Sequence, residues 1–513
     1  MEDNKKEVKG KVFDKIAKAF KDFTKITVTT IGKHNVDKFV VDKRLIVPAT
    51  VTNVESIIGE KEIEIADFSQ CTDLLNIDIK AFEDDSPKDD SFEEDSPEDD
   101  SFEEDSPEDD SFEEDSPEDD SFEEDSPEDG SFEEDSPEEG NTLKEIIFPK
   151  NITTIIGRFN VVQSIEKIDL SQCDKLEKIE EDTFRNCKTL KEVKLPKSIT
   201  AIEETAFKFC EALEEIDLSQ CDKLEKIEED TFTMCKALKE VKLPKSITAI
   251  GESAFQNCEA LEKIDLSQCD KLETIKNDTF YGCKALKEVK LPKSITAIEE
   301  CAFQICHALE KIDLSLCNKL REIGKEAFAG CTALKEVKLP ESITVIGDES
   351  FRYCRSLKEI KIPNRVTTIG NSAFYFCDNL GKIDLSQCDK LSKIKNETFW
   401  GCTALKEVKL PESITVIGDE SFGGCRSLKE INIPHSVTTI MNSAFENCYA
   451  LGKKALSQYE KFKEKEARKK EEERIARVES ERRKEKLEKK IVISILIFWI
   501  IILVLVFTYE FTK

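Results

Sequence analysis

The 513-residue chain has little of what chemistry needs. It holds three histidines, His34, His307 and His435, in three unrelated surroundings. No nucleophile stands at a telling distance from a base, and no glycine-rich stretch opens a helix where a phosphate would sit. These absences point away from an enzyme, from a bound cofactor and from a small-molecule substrate. Nineteen cysteines include no Cys-x-x-Cys pair and no cysteine–histidine set at zinc spacing. The opening "MEDNKKEVKGKVFDKIAKAF" has no secretory apolar core.

Charge of one sign is missing from most of the chain as well. The formal net charge is −32, yet residues 83–139 alone carry 33 carboxylates against a single base, Lys88. The remainder is neutral, with 75 acids and 75 bases. The acidic segment consists of near-copies of "SFEEDSPEDD". It has too little apolar surface to offset its ordering entropy, so it is expected to be disordered and extended by self-repulsion. It would repel phosphate, and nothing else in the chain selects a nucleic acid. Its serines, among them Ser91, Ser96, Ser101 and Ser106, stand three residues before an acid, a context that suits acidophilic kinases. Two uses remain open: a passive solubilising bristle, or an electrostatic tether for a basic partner through acids and the repeated Phe92 to Phe132. A weak calcium sponge is a third, but the period lacks the glycine and carbonyl pattern of an ordered calcium loop.

What the chain does have is repetition. Phenylalanine followed three residues later by cysteine recurs twelve times, from Phe184/Cys187 to Phe445/Cys448, at spacings of 23 or 25 residues. Long units replace "LPKSIT" with "LSQCDKLEKI", and a block beginning at Cys331 repeats 71 residues later at Cys402. In each unit the alternation around Val193 and Leu195 predicts a short strand with one buried face, and Pro196 ends it. Ile199, Ile202, Ala206, Phe207 and Cys210 would line the rest of the interior. One such coil cannot bury its apolar face, so the coils must stack. The pattern "LxxVxLPxxITxIxxxAFxxCxxL", from about Asp42 to Leu451 apart from the acidic segment, resembles the BspA-like leucine-rich repeat family. That resemblance implies a solenoid of leucine-rich coils with short parallel strands, and a surface adhesin or antigen as the usual role.

Aligned coils place Asp169, Lys194, Asp217, Lys242, Asp265, Lys290, Asp313 and Lys338 in one row of alternating sign across the sheet, with Lys191, Glu214, Lys239 and Glu262 in another. Such rows either set the stacking of coils or form an ion-rich docking face. The alternation breaks where Lys338 meets Lys361 and where Lys409 meets Asn432, which makes these four the candidate protein-binding residues. The once-per-coil cysteines read as a ladder of buried thiols, with disulfides and metal as alternatives.

The ends bear on location. Residues 491–507, "IVISILIFWIIILVLVF", approach the length of a bilayer core, and 491–509 is expected to be a transmembrane helix in contact with lipid. Lys484, Lys486, Lys489 and Lys490 before it, against Lys513 after it, place the repeats in the cytosol by charge bias. The family resemblance and three sequons, at Asn151, Asn277 and Asn396, lean instead toward the cell surface. The expected organisation is an amphipathic helix and cap (1–41), first coils (42–82), the acidic insert (83–140), the main solenoid (141–452), a charged helical spacer (453–490), the span (491–509) and a short tail (510–513). The spacer shows no heptad seam. Function is expected to be that of a membrane-anchored, non-catalytic interaction scaffold for protein partners, with a surface adhesin or antigen as the alternative.

Overall fold

The computed structural model describes residues 30–31, 36–54, 63–71, 74–78, 143–162, 164–441 and 443–511. The expected N-terminal helix before residue 30 and the acidic insert with Ser91, Ser96, Ser101 and Ser106 lie outside these residues.

The "LxxVxLP" segment forms a strand of two or three residues once per coil, as in Glu192–Lys194, Glu215–Asp217 and Glu240–Lys242. The central Val or Ile is buried and its charged neighbours face outward. Strands of successive coils pair in parallel, with Val193 opposite Ile168 and Lys194 opposite Asp169. Proline then ends the strand, and the chain turns into a second row of two-residue strands, such as Lys178–Ile179 beside Ala201–Ile202. Strand order follows coil order, as a parallel solenoid requires.

The third side of each coil carries the phenylalanine. Its backbone also bonds to the next coil: the Phe184 amide donates to the Ala206 carbonyl (2.8 Å) and the Asn186 amide to that of Lys208 (2.7 Å). Residues two before and two after the phenylalanine are left-handed, as at Thr205 and Phe209 or Cys301 and Ile305. Non-glycine residues tolerate that region only under outside constraint, and the ladder of neighbouring coils supplies it.

The core is a stack of rings. From Phe159 to Phe445 each phenylalanine lies about one coil from the next; Phe280 and Phe303 are 5.2 Å apart, Phe303 and Phe328 5.3 Å, with planes within 11° and 3°. Cysteine fits beside each ring because it is small, apolar and able to donate weakly. The Cys258 thiol donates to the Phe232 carbonyl at 3.2 Å, and Cys283 to that of Phe255 at 3.2 Å. The long-unit cysteines do the same for proline carbonyls, Cys221 for Pro196 and Cys317 for Pro292, each at 3.5 Å. All nineteen thiols are free, and all but Cys301 and Cys448 are fully buried.

The solenoid runs straight across the acidic insert. Ile65–Asp67 pairs with Glu145–Ile147, and Asn76–Asp78 with Thr154–Ile156, so the coils before and after residues 79–142 are direct neighbours. At the N-terminal edge Val40–Val41 pairs antiparallel with Arg44 and Leu45 around the left-handed Asp42 and Lys43. This hairpin covers the open strand edge. Among the described residues of 30–41 the cap is strand and a 3-10 turn at Val36–Phe39. At the other end one helix, Lys453–Phe511, runs for 59 residues, about 90 Å. Tyr459 near its start is buried edge-on against Phe445 at 5.3 Å and closes the last coil. The expected spacer and apolar run are thus one helix. Among the described residues no helix is long and apolar enough to cross a membrane. The described apolar side chains extend from Ile491 to Leu505, and all but the half-buried Ile502 are exposed.

Candidate interaction surface

The exposed face of the first sheet is laced with ion pairs between coils. Lys242 reaches Asp217 at 3.6 Å, Lys290 reaches Asp265 at 3.4 Å, Lys338 reaches Asp313 at 3.1 Å and Lys409 reaches Asp384 at 3.4 Å. A second row pairs Lys191 with Glu166 (2.9 Å), Lys239 with Glu214 (2.8 Å) and Lys335 with Glu310 (3.1 Å). The aspartates have a second task, since each accepts the amide of the serine two residues on and so holds the turn into "LSQC". The Ser315 hydroxyl and amide, with Lys338, keep Asp313 below the usual carboxylate range despite partial burial; Ser386 and Lys409 do so for Asp384. The alternation therefore follows from turn chemistry: long coils need Asp at this position, and short coils answer with Lys. Each pair is about half exposed, so water and salt screen most of its attraction.

This corrects the expectation that the break in the rows leaves lysines unpaired. Lys338 pairs with Asp313 and with Glu336 of its own strand, and Lys409 with Asp384 and Glu407. Lys361 reaches Glu341 beyond the neighbouring proline at 2.7 Å. Reading the rows straight across the sheet missed partners along the strand and in the turn. Asn432 lies opposite Lys409 in register and adds no charge.

A different surface stands out on the phenylalanine side. The two residues after the core phenylalanine are Arg352-Tyr353, Tyr375-Phe376 and Trp400-Gly401 in three successive coils. Tyr353 stacks on Phe376 at 5.5 Å and Tyr375 on Trp400 at 4.9 Å, both within 11° of parallel. Tyr375 and Trp400 meet Phe376 edge-on at 4.8 and 4.7 Å. The Arg352 guanidinium sits 4.8 Å from the Tyr353 ring and 5.3 Å from that of Tyr375, held by Glu349 at 2.6 Å. Arg355 lies 5.7 Å from Tyr353 on the other side. The backbone fixes this set: Tyr353 donates to the Tyr375 carbonyl and Phe376 to that of Trp400, both at 2.8 Å, with Tyr353 and Phe376 left-handed. Trp400 lies across Gly423, where a Cβ would come within 2.6 Å of its ring. All four rings are half-buried, outside the core stack.

The repeat that builds this scaffold is matched by the model of the BspA-type leucine-rich repeat region, in overlapping segments spanning residues 132–222, 156–272, 263–351 and 321–452. The chain belongs to the BspA-type leucine-rich repeat family. Among curated proteins none matches it. Among solved structures it is similar to a leucine-rich repeat protein from Bacteroides ovatus, with 29% identity over 54% of this chain and 81% of that one and a TM-score of 0.43. It is also similar to a leucine rich cell surface protein from Faecalibacterium prausnitzii, with 27% identity over 60% and 82% and a TM-score of 0.34. A leucine-rich repeat protein of T. pallidum shares 28% identity over 39% and 82%, with a TM-score of 0.31.

In this leucine-rich array burial weighs against thiolate chemistry at the cysteines. Burial pushes Cys71 and Cys173 up to about 12 and Cys221 and Cys269 to about 11, away from the thiolate that reacts or binds metal. Glu300, Cys301 and Glu326 bring their ligand atoms within 4.8 Å of one another. Lys325 already bonds both carboxylates at 2.9 Å, so the cluster is a salt-bridged one and carries no metal assignment.

The aromatic cluster was missed because each residue sits at a variable position of the repeat. One signal was available. Cys331 to Phe351 is identical to Cys402 to Phe422; the copies first diverge at Arg352-Tyr353 against Gly423-Gly424, then at Lys361, Asn364, Arg365 and Gly370 against Asn432, His435, Ser436 and Met441, and at Tyr375-Phe376 against Glu446-Asn447.

Proposed function

We propose that the chain is a non-catalytic protein-interaction scaffold of the BspA type, held to a membrane by its C-terminal helix. The observation that carries the interaction reading is the Tyr353, Tyr375, Phe376, Trp400 and Arg352 cluster. Tyr, Trp and Arg dominate binding hot spots, and here they are gathered outside the core on coils whose duplicates fold without them. The candidates Lys338, Lys361, Lys409 and Asn432 lie on the strand side of the coils instead, where the three lysines are salt-bridged. The anchor reading is supported by the apolar side chains from Ile491 to Leu505, all but Ile502 exposed around the helix, and by the continuation of the run to Phe507 in sequence. A helix apolar all round belongs in a protein core or a bilayer. A surface antigen with outward-facing repeats is the second reading, favoured by membership of a family that includes surface adhesins.

One experiment separates these. Full-length chain and a version lacking residues 491–509 are expressed in the same cells, and membranes are washed with alkaline carbonate. The full chain should stay with the washed membranes and the shortened one should not; recovery of both in the wash refutes the anchor. Protease added to sealed cells then spares the repeats if they are cytosolic and removes them if they are surface-exposed.

A further inference from the structure

Resting on the interaction reading above, we infer that the aromatic cluster of Tyr353, Tyr375, Phe376 and Trp400 is a docking site for an arginine- or lysine-rich segment of a partner protein. The duplicated block shows that the fold does not require these side chains. Gly424 and Asn447 occupy the left-handed positions of Tyr353 and Phe376 in coils of the same backbone, with φ of 67° and 57°. Rings kept at one copy and absent from the other have a task other than closing the coil.

Charge selects the partner. Beyond Trp400 stand Glu397, Asp419, Glu420 and Glu446, and none of the four has an ion pair among the described residues. The bases nearby are engaged: Arg352 by Glu349, Arg355 near Asp378 and Lys395 by Asp348 at 3.1 Å. Burial and the neighbouring carboxylates Glu397, Asp419 and Glu446 hold Glu420 above its ordinary range, so the crowding is felt. An incoming cation would relieve it. The rings show the same preference, because the Arg352 guanidinium already lies within cation–π distance of two of them. The next coil presents Gly423 and Gly424, with no side chain to close the cluster on that side. An extended basic segment could lie there, its guanidinium groups stacking on Trp400 and bonding the carboxylates.

The test uses the full chain in neutral detergent with Trp499→Phe, which leaves Trp400 as the sole tryptophan reporter. The probes are nine-residue peptides of arginine alternating with glycine, of glutamate alternating with glycine, and of proline. The arginine peptide should change Trp400 emission saturably, and more weakly as salt rises. A variant carrying the duplicate's own residues, Arg352→Gly, Tyr353→Gly, Tyr375→Glu and Phe376→Asn, should keep its circular dichroism and bind at least about tenfold more weakly. Glu420→Gln, which removes a repelling charge while keeping a side-chain oxygen that can accept from Trp400, should keep the circular dichroism and still weaken the peptide. Arginine-peptide binding that leaves Trp400 unmoved belongs to the acidic insert and overturns the inference, as does unchanged affinity in the Glu420→Gln chain. A saturable Trp400 response to glutamate or proline peptide alone keeps the cluster as a binding site but overturns the basic partner.

Discussion

Raising the pH is the sharpest perturbation of this fold, because its core is lined with thiols that cannot ionise in place. Ten cysteines beside the ring stack, Cys187, Cys210, Cys258, Cys283, Cys306, Cys331, Cys354, Cys377, Cys402 and Cys425, are fully buried, and burial raises every one of them above the ordinary thiol value. A group raised in the folded state contributes stability that is complete below its unfolded pKa and is lost as pH climbs toward the folded one. Unfolded thiols titrate near 8.5–9, so at pH 10 each costs the folded state about 1.5–2 kcal/mol. Ten of them together amount to about 15–20 kcal/mol, above the 5–15 kcal/mol of an ordinary domain. The solenoid should therefore lose its circular dichroism steeply between about pH 9 and 10. Thiolate absorbance at 240 nm should rise in the same narrow interval. Replacing three ladder cysteines, for example Cys258, Cys283 and Cys306, by alanine should move the midpoint to higher pH. Thiolate absorbance that rises near pH 9 while the far-ultraviolet signal stays native would refute the buried ladder.

Two further outcomes are expected. Deleting residues 83–139 with a short linker should keep the solenoid folded and stabilise it by about 0.6 kcal/mol for each halving of the loop, since the flanking strands already pair; loss of the cooperative melt would show that the acidic segment is part of the fold. Phe303→Ala, in the middle of the stack, should cost about 3–5 kcal/mol in denaturant unfolding, and Phe445→Ala, at the end of the stack with a ring stacked on one face only, visibly less.

The coil was legible in the sequence because its rule is repeated. Val193, Leu195, Pro196, Ile199 and Phe207 state the strand, its end and its core side, and a dozen copies average out the variation in each. The site of the acidic insert was legible for the same reason: a unit that stops after Phe82 and resumes at Asn141 must close on itself. Hydrogen-bond partners were not. That a thiol beside the ring serves the previous coil's carbonyl depends on atoms brought together only by the stacking of coils. Left-handed backbone at Thr205, Cys301 and Ile305 has no residue signature, since neighbouring coils impose it.

The surface obeys the opposite logic, and this is why the lysines at the breaks are not left without ion partners. Repetition marks what every coil needs, so a search for function in the most regular rows finds stacking devices such as the Asp–Lys ladder. Breaks in such a row still find partners, because lysine is long enough to reach along its strand to Glu336 or across a turn to Glu341. Function has to be sought where copies of one block disagree at positions the backbone leaves free. Between Cys331 and Cys402 the chain supplies such a comparison within itself: the disagreement begins at Arg352 and Tyr353, includes Lys361, Asn364, Arg365 and Gly370, and reaches Tyr375 and Phe376, and only the pairs after the core phenylalanine bring rings together. The same coil geometry holds glycine and asparagine there in one copy and rings in the other. The rings are then an addition to a finished scaffold, and a half-buried aromatic surface beside carboxylates that hydrogen-bond but meet no cation among the described residues is stable in water only at a cost that a basic partner removes.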